Sequence, residues 1–256
     1  MKFKKEKYLK RIKYSGNIET NLNTLKRLQR HHLLNVPFEN LDIHNSIPIE
    51  LSIENFFNKV INENRGGFCY ELNGLFYELL KDLGFDVKMV SARVFDQNKG
   101  YGKEYDHLAI IVKIDADEYL TDVGFGEFTF EPLKLEMGTI QNDERGDYKI
   151  SKYENGYLRV SKIENDKKTP EYIFKNKKRK LKEFNEMCNY HQTSPNSHFT
   201  SKRLISIPTD NGRITITGNK LKIKEFELTT EIVLENETEF EKELWNKFGI
   251  KKDSSG

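Results

Sequence analysis

The chain has 256 residues, and its 42 basic side chains nearly balance its 40 acidic ones, leaving a formal net charge of +2. This balance argues against general nucleic-acid binding, and no apolar run approaches the roughly 20 residues of a membrane span. Hydrophobic residues make up 36% of the chain, as in folded globular proteins. The basic first segment lacks the apolar stretch of a secretory signal. Because only Cys69 and Cys188 occur, we expect a cytoplasmic protein with free thiols, and we take a monomer as the default.

Residues 1–84 are predicted to be helical. Thr20 is suited to cap a helix that carries regularly spaced leucines, and Ser52 is suited to cap a second helix. A third helix is predicted to begin near Cys69 and to end at Gly84, with a broad apolar face between them.

Two segments interrupt these helices. Pro37 disfavours helical backbone at Val36, so residues 36–44, "VPFENLDIH", are predicted to form an extended loop. The sequence Arg65-Gly66-Gly67 is predicted to end the second helix, and its glycines would allow a tight turn and the close approach of a substrate.

From residue 85 the hydrophobic period changes from helical spacing to two. Six segments up to about residue 176 have strand length and are separated by turn residues, which predicts an antiparallel barrel or sandwich. A short helix over Lys180–Gln192 follows. Three further strand segments, "RLISIPT", "GRITITG" and "LKIKEFEL", and a helix over Glu237–Phe248 complete the chain. We therefore predict an α+β protein with domains over 1–84, 85–192 and 193–256.

Cys69 is the first candidate for chemistry. A cysteine at a helix start faces unpaired backbone N–H groups and the positive end of the helix dipole. That position favours the thiolate, so we expect its pKa to lie below the value of about 8.5 for a free cysteine. The alternative is an inert thiol buried in the core.

His107 and Asp122 could serve this thiolate. His107 begins the apolar strand "HLAIIVKI" and Asp122 ends the segment "EYLTD", and a hairpin through "DADE" would place the two side by side. Cys, His and Asp in that relation form a nucleophilic triad. Each residue also has an ordinary structural role available. A zinc site is a further alternative, but the closely spaced ligand pairs that zinc sites usually show are missing, so no metal is predicted.

Five segments together resemble the arylamine N-acetyltransferase family. They are "RGGFCYELNGLF", "VPFENLDIH", "DHLAIIV", "TDVGFG" and "NYHQTSPNSHFTSK", they occur in the family's order, and the resemblance spans about residues 8 to 217. It implies a helical first domain, a β-barrel second domain and an α/β lid. It also implies a catalytic core like that of transglutaminases and papain-like cysteine proteases.

The resemblance implies a ping-pong reaction with acetyl-CoA as donor and no metal. Cys69 would be the nucleophile, His107 the general acid and base, and Asp122 the residue that orients His107. The acetyl group would pass to the nitrogen of an arylamine, arylhydroxylamine or hydrazine. A thioesterase-like or transglutaminase-like enzyme with the same triad is the alternative activity, and a catalytically inactive binding module is the alternative without activity.

Other matched positions are assigned supporting roles. Phe38, Phe125 and Tyr190 are predicted to contact the acceptor, and a pair between Arg65 and Glu39 is predicted to brace the loop over the nucleophile. The residues predicted to contact CoA are Gly126, Thr215 and Thr217.

Overall fold

The structure is a computed structural model that describes residues 3–165 and 167–251. Its first part is a group of helices: α1 (Lys5–Arg11), α2 (Leu22–Asn35), α3 (Leu41–His44), α4 (Ile53–Phe57) and α5 (Cys69–Asp82), with a π-helical turn over Asn58–Asn62. Amphipathic α5 lies at the centre of this group and is buried along most of its length. Gly84 adopts a left-handed φ of 94° just beyond it, as predicted for the end of this helix.

The second part is an antiparallel sheet. Its strands are β2 (Asp86–Asp96), β3 (Gly100–Tyr101), β4 (His107–Ile114), β5 (Asp117–Thr121), β6 (Leu133–Lys134), β7 (Ile140–Asp143), β8 (Gly146–Lys152), β9 (Leu158–Glu164) and β10 (Lys167–Phe174). The order across the sheet is β6-β5-β4-β2-β10-β9-β8-β7, and β3 pairs with β2. The side chain of Gln141 joins the two edge strands, because it both donates to and accepts from the backbone of Lys134 at 2.8 Å. The sheet is therefore a nearly closed barrel.

Strand β4 has an apolar sequence without alternation because both of its faces are buried. Leu108, Ile110 and Val112 pack with the helices, whereas Ala109 and Ile111 point into the barrel. A strand that is buried on both faces reads as a continuous hydrophobic run. Through this strand the barrel is pressed against α5.

The third part is a five-stranded sheet in the order β1-β11-β12-β13-β14. Its strands are β1 (Phe38–Glu39), β11 (Leu204–Thr209), β12 (Gly212–Thr217), β13 (Lys220–Glu225) and β14 (Leu228–Val233), and α8 (Glu237–Phe248) packs on it. Two short helices, α6 (Asn185–Thr193) and α7 (His198–Ser201), connect it to the barrel, and 3-10 turns lie at Glu154–Gly156 and Leu181–Phe184.

The predicted α+β architecture is confirmed, and the limits of α8 agree with prediction. Several local predictions were wrong. Asn21, not Thr20, caps α2 by accepting from the Thr24 N–H, and the predicted helix over 180–192 is a 3-10 turn followed by α6. The segment "LKIKEFEL" is not one strand, because the chain turns at Phe226 with φ 51° and divides it between β13 and β14.

The predicted loop over 36–44 is instead a strand and a short helix. Strand β1 pairs with β11 on one side, and the Glu39 N–H donates to the Gly67 carbonyl on the other at 2.9 Å. These partners are distant in sequence, so the local pattern did not reveal them. Strand β1 lies within the first predicted domain but pairs with the sheet of the third. The domain limits drawn from sequence therefore stay a prediction. Among the described residues, none of the helices is long and apolar enough to cross a membrane.

Replacing Gly66 tests the close packing before α5. A Cβ at Gly66 would lie 2.0 Å from the carbonyl oxygen of Pro37, so Gly66→Ala must displace the backbone at Pro37, directly before β1. We expect a loss in free energy of unfolding of about 1 to 3 kcal/mol, the usual range for overpacking, measured by urea denaturation. Gly126→Ala is the control, because a Cβ there meets no atom within 4 Å. Equal stability of the two variants would contradict this account.

Candidate active site

Cys69 is the first residue of α5, as predicted, and only 3% of it is exposed. The first intrahelical hydrogen bonds run from the N–H groups of Glu71 and Leu72 to the Phe68 carbonyl. The N–H groups of Cys69 and Tyr70 therefore precede this ladder and have no acceptor within the helix.

The two glycines before Cys69 serve packing inside the protein. A Cβ at Gly66 would meet Pro37, and one at Gly67 would lie 2.8 Å from the Glu71 side chain. Neither glycine lines the cavity described below. The expectation that they admit a substrate is therefore replaced by a packing role.

His107 and Asp122 are brought together by the predicted hairpin of β4 and β5. Thr121 pairs with Ile110, so in the continued register Asp122 lies diagonally across from His107. The Nε2 atom of His107 lies 2.6 Å from the Oδ2 atom of Asp122, and both side chains are buried. This bond leaves Nδ1 as the ring nitrogen that can exchange a proton with a thiol.

Asp122 is fixed by two residues that the sequence analysis missed. Asn73 Nδ2 donates to Asp122 Oδ1 at 2.8 Å, and the Tyr172 hydroxyl donates to Oδ2 at 3.2 Å. The Gly124 N–H also donates to Oδ1, at 3.0 Å. Asn73 could have been found from sequence, because it lies four residues after Cys69 and hence on the same face of α5. Tyr172 comes from β10, and no local pattern indicates its contact.

Gly124 is required for the approach of the Asp122 loop to α5. A Cβ at this position would lie 2.8 Å from the Cα atom of Cys69 and 2.9 Å from Asn73 Nδ2. Since a side chain would push these groups apart, the glycine after Asp122 sets the distance between the helix start and the carboxylate.

The expected lowering of the pKa of Cys69 is not what the structure indicates. Burial raises the pKa of this thiol well above its usual value; a hydrogen bond from the backbone of Leu108 lowers it, and the negative charge of Asp122 raises it further. Desolvation has a larger effect on this pKa than the helix start, because a buried thiolate loses the stabilisation that water would give its charge. We therefore expect the thiolate to form only when a neighbouring base accepts the proton.

Cys69 and His107 line one cavity of about 410 Å³ between the three parts of the fold. Its wall is largely apolar and aromatic. Of the residues predicted to contact ligands, Phe38, Phe125, Gly126 and Thr215 line it, and the Phe125 ring centroid lies 5.2 Å from that of His107. The other lining residues are Val94, Asp106, Gly124, Glu127, His191, His198, Phe199, Leu204, Ser206 and Arg213.

Tyr190 and Thr217 do not line this cavity, so their predicted contacts stay predictions. The neighbour of Tyr190, His191, lines it instead, and its Nε2 atom lies 3.3 Å from the Oδ1 atom of Asp106. The two residues are adjacent on α6, so their side chains point in different directions from the helix.

Among residues 3–165 and 167–251, no group of three or more His, Cys, Asp and Glu side chains is arranged to hold a metal ion.

Comparison with known proteins shows the family of this chain. A model of the N-acetyltransferase family matches residues 21–255. Human arylamine N-acetyltransferase 1 is 32% identical over 271 residues, which cover 96% of this chain and 93% of the human protein. This chain belongs to the arylamine N-acetyltransferase family.

Solved structures of acetyltransferases in this family have the same fold. The enzyme of Mycobacterium marinum superposes with a TM-score of 0.89 at 30% identity, over 96% of this chain and 93% of its own. An arylamine N-acetyltransferase of Bacillus cereus, described as having a unique Cys-His-Glu catalytic triad, superposes with a TM-score of 0.90 at 28% identity, over 97% and 98%. This chain is an acetyltransferase of the same α+β fold.

A cluster of five buried charges lies beside Cys69 in this acetyltransferase. The predicted pair is present, since Arg65 Nη2 lies 2.9 Å from Glu39 Oε1. Lys59, which the sequence analysis missed, lies 2.7 Å from Asp42 and 2.9 Å from Glu71. Glu71 also accepts from the Phe68 N–H at 3.0 Å, which joins the cluster to the start of α5.

The cluster has three acidic and two basic members, so negative charge is in excess by one. This excess is reflected in the pKa of Glu71. Burial raises its pKa to about 7, with Lys59 lowering it and Glu39 raising it. For Asp42, by contrast, burial is outweighed by Lys59 and Arg65, and its pKa is lowered. The surplus negative charge is therefore relieved at Glu71.

Replacing Glu71 tests this assignment through the pH dependence of stability. A folded pKa above the unfolded value means that the folded state binds the proton more tightly, so stability falls as pH rises from about 4.5 to about 7. Glu71→Gln should remove a fall of about 3 kcal/mol, at 1.36 kcal/mol per pKa unit, measured by urea unfolding across that range. Glu78→Gln, half-buried on the same helix, is the control. An unchanged pH profile in Glu71→Gln would show that another group titrates.

Proposed function

We propose that this acetyltransferase carries acetyl from acetyl-CoA to the nitrogen of arylamines, arylhydrazines and arylhydroxylamines through an acetyl-Cys69 intermediate. The observation that carries the proposal is one aromatic-lined cavity that contains Cys69 together with a His107 held by Asp122. The M. marinum enzyme has also been solved in complex with CoA, with a TM-score of 0.88 at 30% identity, over 96% of this chain and 93% of its own.

In the first half-reaction His107 takes the proton of the Cys69 thiol on Nδ1. The sulfur attacks the thioester carbonyl, and the N–H groups of Cys69 and Tyr70 are placed to stabilise the tetrahedral oxyanion. When the C–S bond to CoA breaks, His107 returns its proton to the departing thiolate. Asp122 stabilises the imidazolium between these transfers.

In the second half-reaction the acceptor nitrogen attacks acetyl-Cys69. The nitrogen must lose a proton as the C–N bond forms, and His107 accepts it. Collapse of the tetrahedral intermediate breaks the bond to sulfur, and His107 reprotonates Cys69. Phe38, Phe125 and Phe199 supply the ring contacts that an aromatic acceptor needs.

The acetyl end of CoA and the acceptor would occupy this cavity of about 410 Å³ in turn. Gly126 and Thr215 lie on its wall and would contact the arm next to the thioester. Thr217 and Tyr190 do not line the cavity, so any contact of Thr217 with CoA or of Tyr190 with the acceptor would be made outside it. We further propose that the enzyme acts as a cytoplasmic monomer on small molecules, without a metal, nucleic acid or membrane.

The intermediate can be tested by the mass of the intact protein. Acetyl-CoA alone should add one acetyl group to Cys69, and a later addition of an aromatic amine or hydrazine should remove it and give the acetylated amine. Cys69→Ser should show neither step, because a neutral hydroxyl is a far weaker nucleophile, while Cys188→Ser should behave as wild type. Loss of the adduct to water as fast as to the amine would indicate a thioesterase-like hydrolase instead. Absence of an adduct would contradict the proposal.

The proton transfer can be tested by alkylation of Cys69 with iodoacetamide as pH is varied. Since burial raises the pKa of this thiol, it ionises near neutral pH only by passing its proton to His107. His107→Gln and Asp122→Asn should therefore lower the rate at pH 7 by about ten-fold or more, because each pKa unit reduces the thiolate fraction ten-fold.

The rate in both variants should recover as pH rises into the alkaline range. All variants are made in a Cys188→Ala background, so that only one thiol is measured. Tyr105→Phe, a change near the cavity that leaves the triad intact, is the control. Rates at pH 7 equal to that of the parent would show that the thiolate does not depend on the pair.

A further inference from the structure

Arg213 is a buried cation on the wall of the active-site cavity. It lies on β12, opposite Pro208 of β11, and only 9% of it is exposed. It shares the cavity with Cys69 and His107, yet none of the steps described above uses it.

The groups that hold Arg213 in place are neutral. Its Nη1 atom donates to Ser206 Oγ and its Nη2 atom to the Gly126 carbonyl, each at 2.8 Å. Its Nε atom is buried without a hydrogen-bond partner among the described residues. The Glu127 carboxylate approaches Nε to 3.8 Å, too far for a hydrogen bond, and 59% of the Glu127 side chain is exposed to water.

The arrangement leaves a positive charge without a bonded counterion. Burial and the neighbouring Arg145 together lower the pKa of Arg213 to about 10, against a smaller raising effect of the Glu127 carboxylate, so the group is still a cation at neutral pH. A buried charge is costly unless an opposite charge and hydrogen bonds compensate it. An anion in the cavity would supply both.

We propose that Arg213 makes the enzyme prefer acceptors that carry an anionic substituent, a carboxylate or a sulfonate, on the aromatic ring. This inference rests on the proposed acetyl transfer to arylamines. The aromatic wall holds the ring, the nitrogen meets acetyl-Cys69, and the anionic group accepts hydrogen bonds from the guanidinium. Arginine suits this task because its planar donors match the two oxygens of a carboxylate.

The phosphates of CoA are the other source of anionic oxygens. They are separated from the thioester by the length of the pantetheine arm, whereas Arg213 lines the same cavity as Cys69, where the thioester carbonyl reacts. Arg213 is 9% exposed on the wall of that same cavity, so it is placed to meet the acceptor.

Acceptors of matched shape test the proposal. Acetyl-enzyme is mixed with 4-aminobenzoate or with neutral 4-aminobenzamide, and with the 3-amino isomers of both, and kcat/KM for loss of the acetyl group is measured. The wild type should prefer the better-placed benzoate to its amide by about ten-fold or more. Arg213→Gln should bring this ratio to within about three-fold of unity, and Arg213→Lys should restore part of it.

Controls separate the possible explanations. Arg145→Gln removes a charge beside the cavity but not in its lining, and should keep the wild-type ratio. Glu127→Gln removes the competing carboxylate and should lower KM for the benzoate. The rate at which acetyl-CoA alone acetylates Cys69 should be the same in Arg213→Gln as in wild type.

Each contrary result overturns the inference. A wild type without preference for the anion does so without any variant, as does an unchanged ratio in Arg213→Gln or an equal loss in Arg145→Gln. A defect confined to acetylation by acetyl-CoA would assign Arg213 to the donor instead. If wild type acetylates neutral amines but shows no anion preference, this inference alone fails. If it acetylates neither class, the proposed function fails with it.

Discussion

The carboxylate of Asp122 is the interaction on which the site depends. It accepts from His107 on β4, from Asn73 on α5, from the backbone of Gly124 after β5 and from Tyr172 on β10. Four parts of the fold are thereby tied to one buried group. A carboxylate with four donors is held in one orientation, and the ring of His107 is held with it.

This arrangement also sets where Cys69 lies relative to His107. Asn73 is one helical turn after Cys69, so the bond from Asn73 to Asp122 fixes the rotation of α5 against the barrel. Gly124 sets how close the loop and the helix come. The geometry therefore follows from the packing of α5 on β4, which is itself held by apolar residues on both faces of the strand.

The sequence predicted what is local. Hydrophobic spacing located α2, α4, α5 and α8 and six of the nine barrel strands, and the position of Cys69 at a helix start and the hairpin that joins His107 to Asp122 were both expected. The missed residues Tyr172 and Lys59 act through partners more than ten residues away, and Arg213 bonds to Gly126, 87 residues away, as well as to its strand neighbour Ser206. No periodic pattern in the sequence indicates the long-range contacts. The pKa of Cys69 was misjudged for the same reason, because the helix start is visible in the sequence and the burial of the sulfur is not.

Burial of the thiol has a consequence for selectivity between amine and water. In an aromatic cavity a thiolate without its partner is unfavourable, so in the proposed mechanism the Cys69 thiolate forms only as its proton reaches His107. The same apolar wall would limit the water near an acetyl-thioester, while a ring that packs against Phe38 and Phe125 would bring its nitrogen to the carbonyl. Proximity then favours the amine over a solvent molecule that has no binding contacts. A single cavity that must hold donor and acceptor in turn is thus compatible with an intermediate that lives long enough to meet its second substrate.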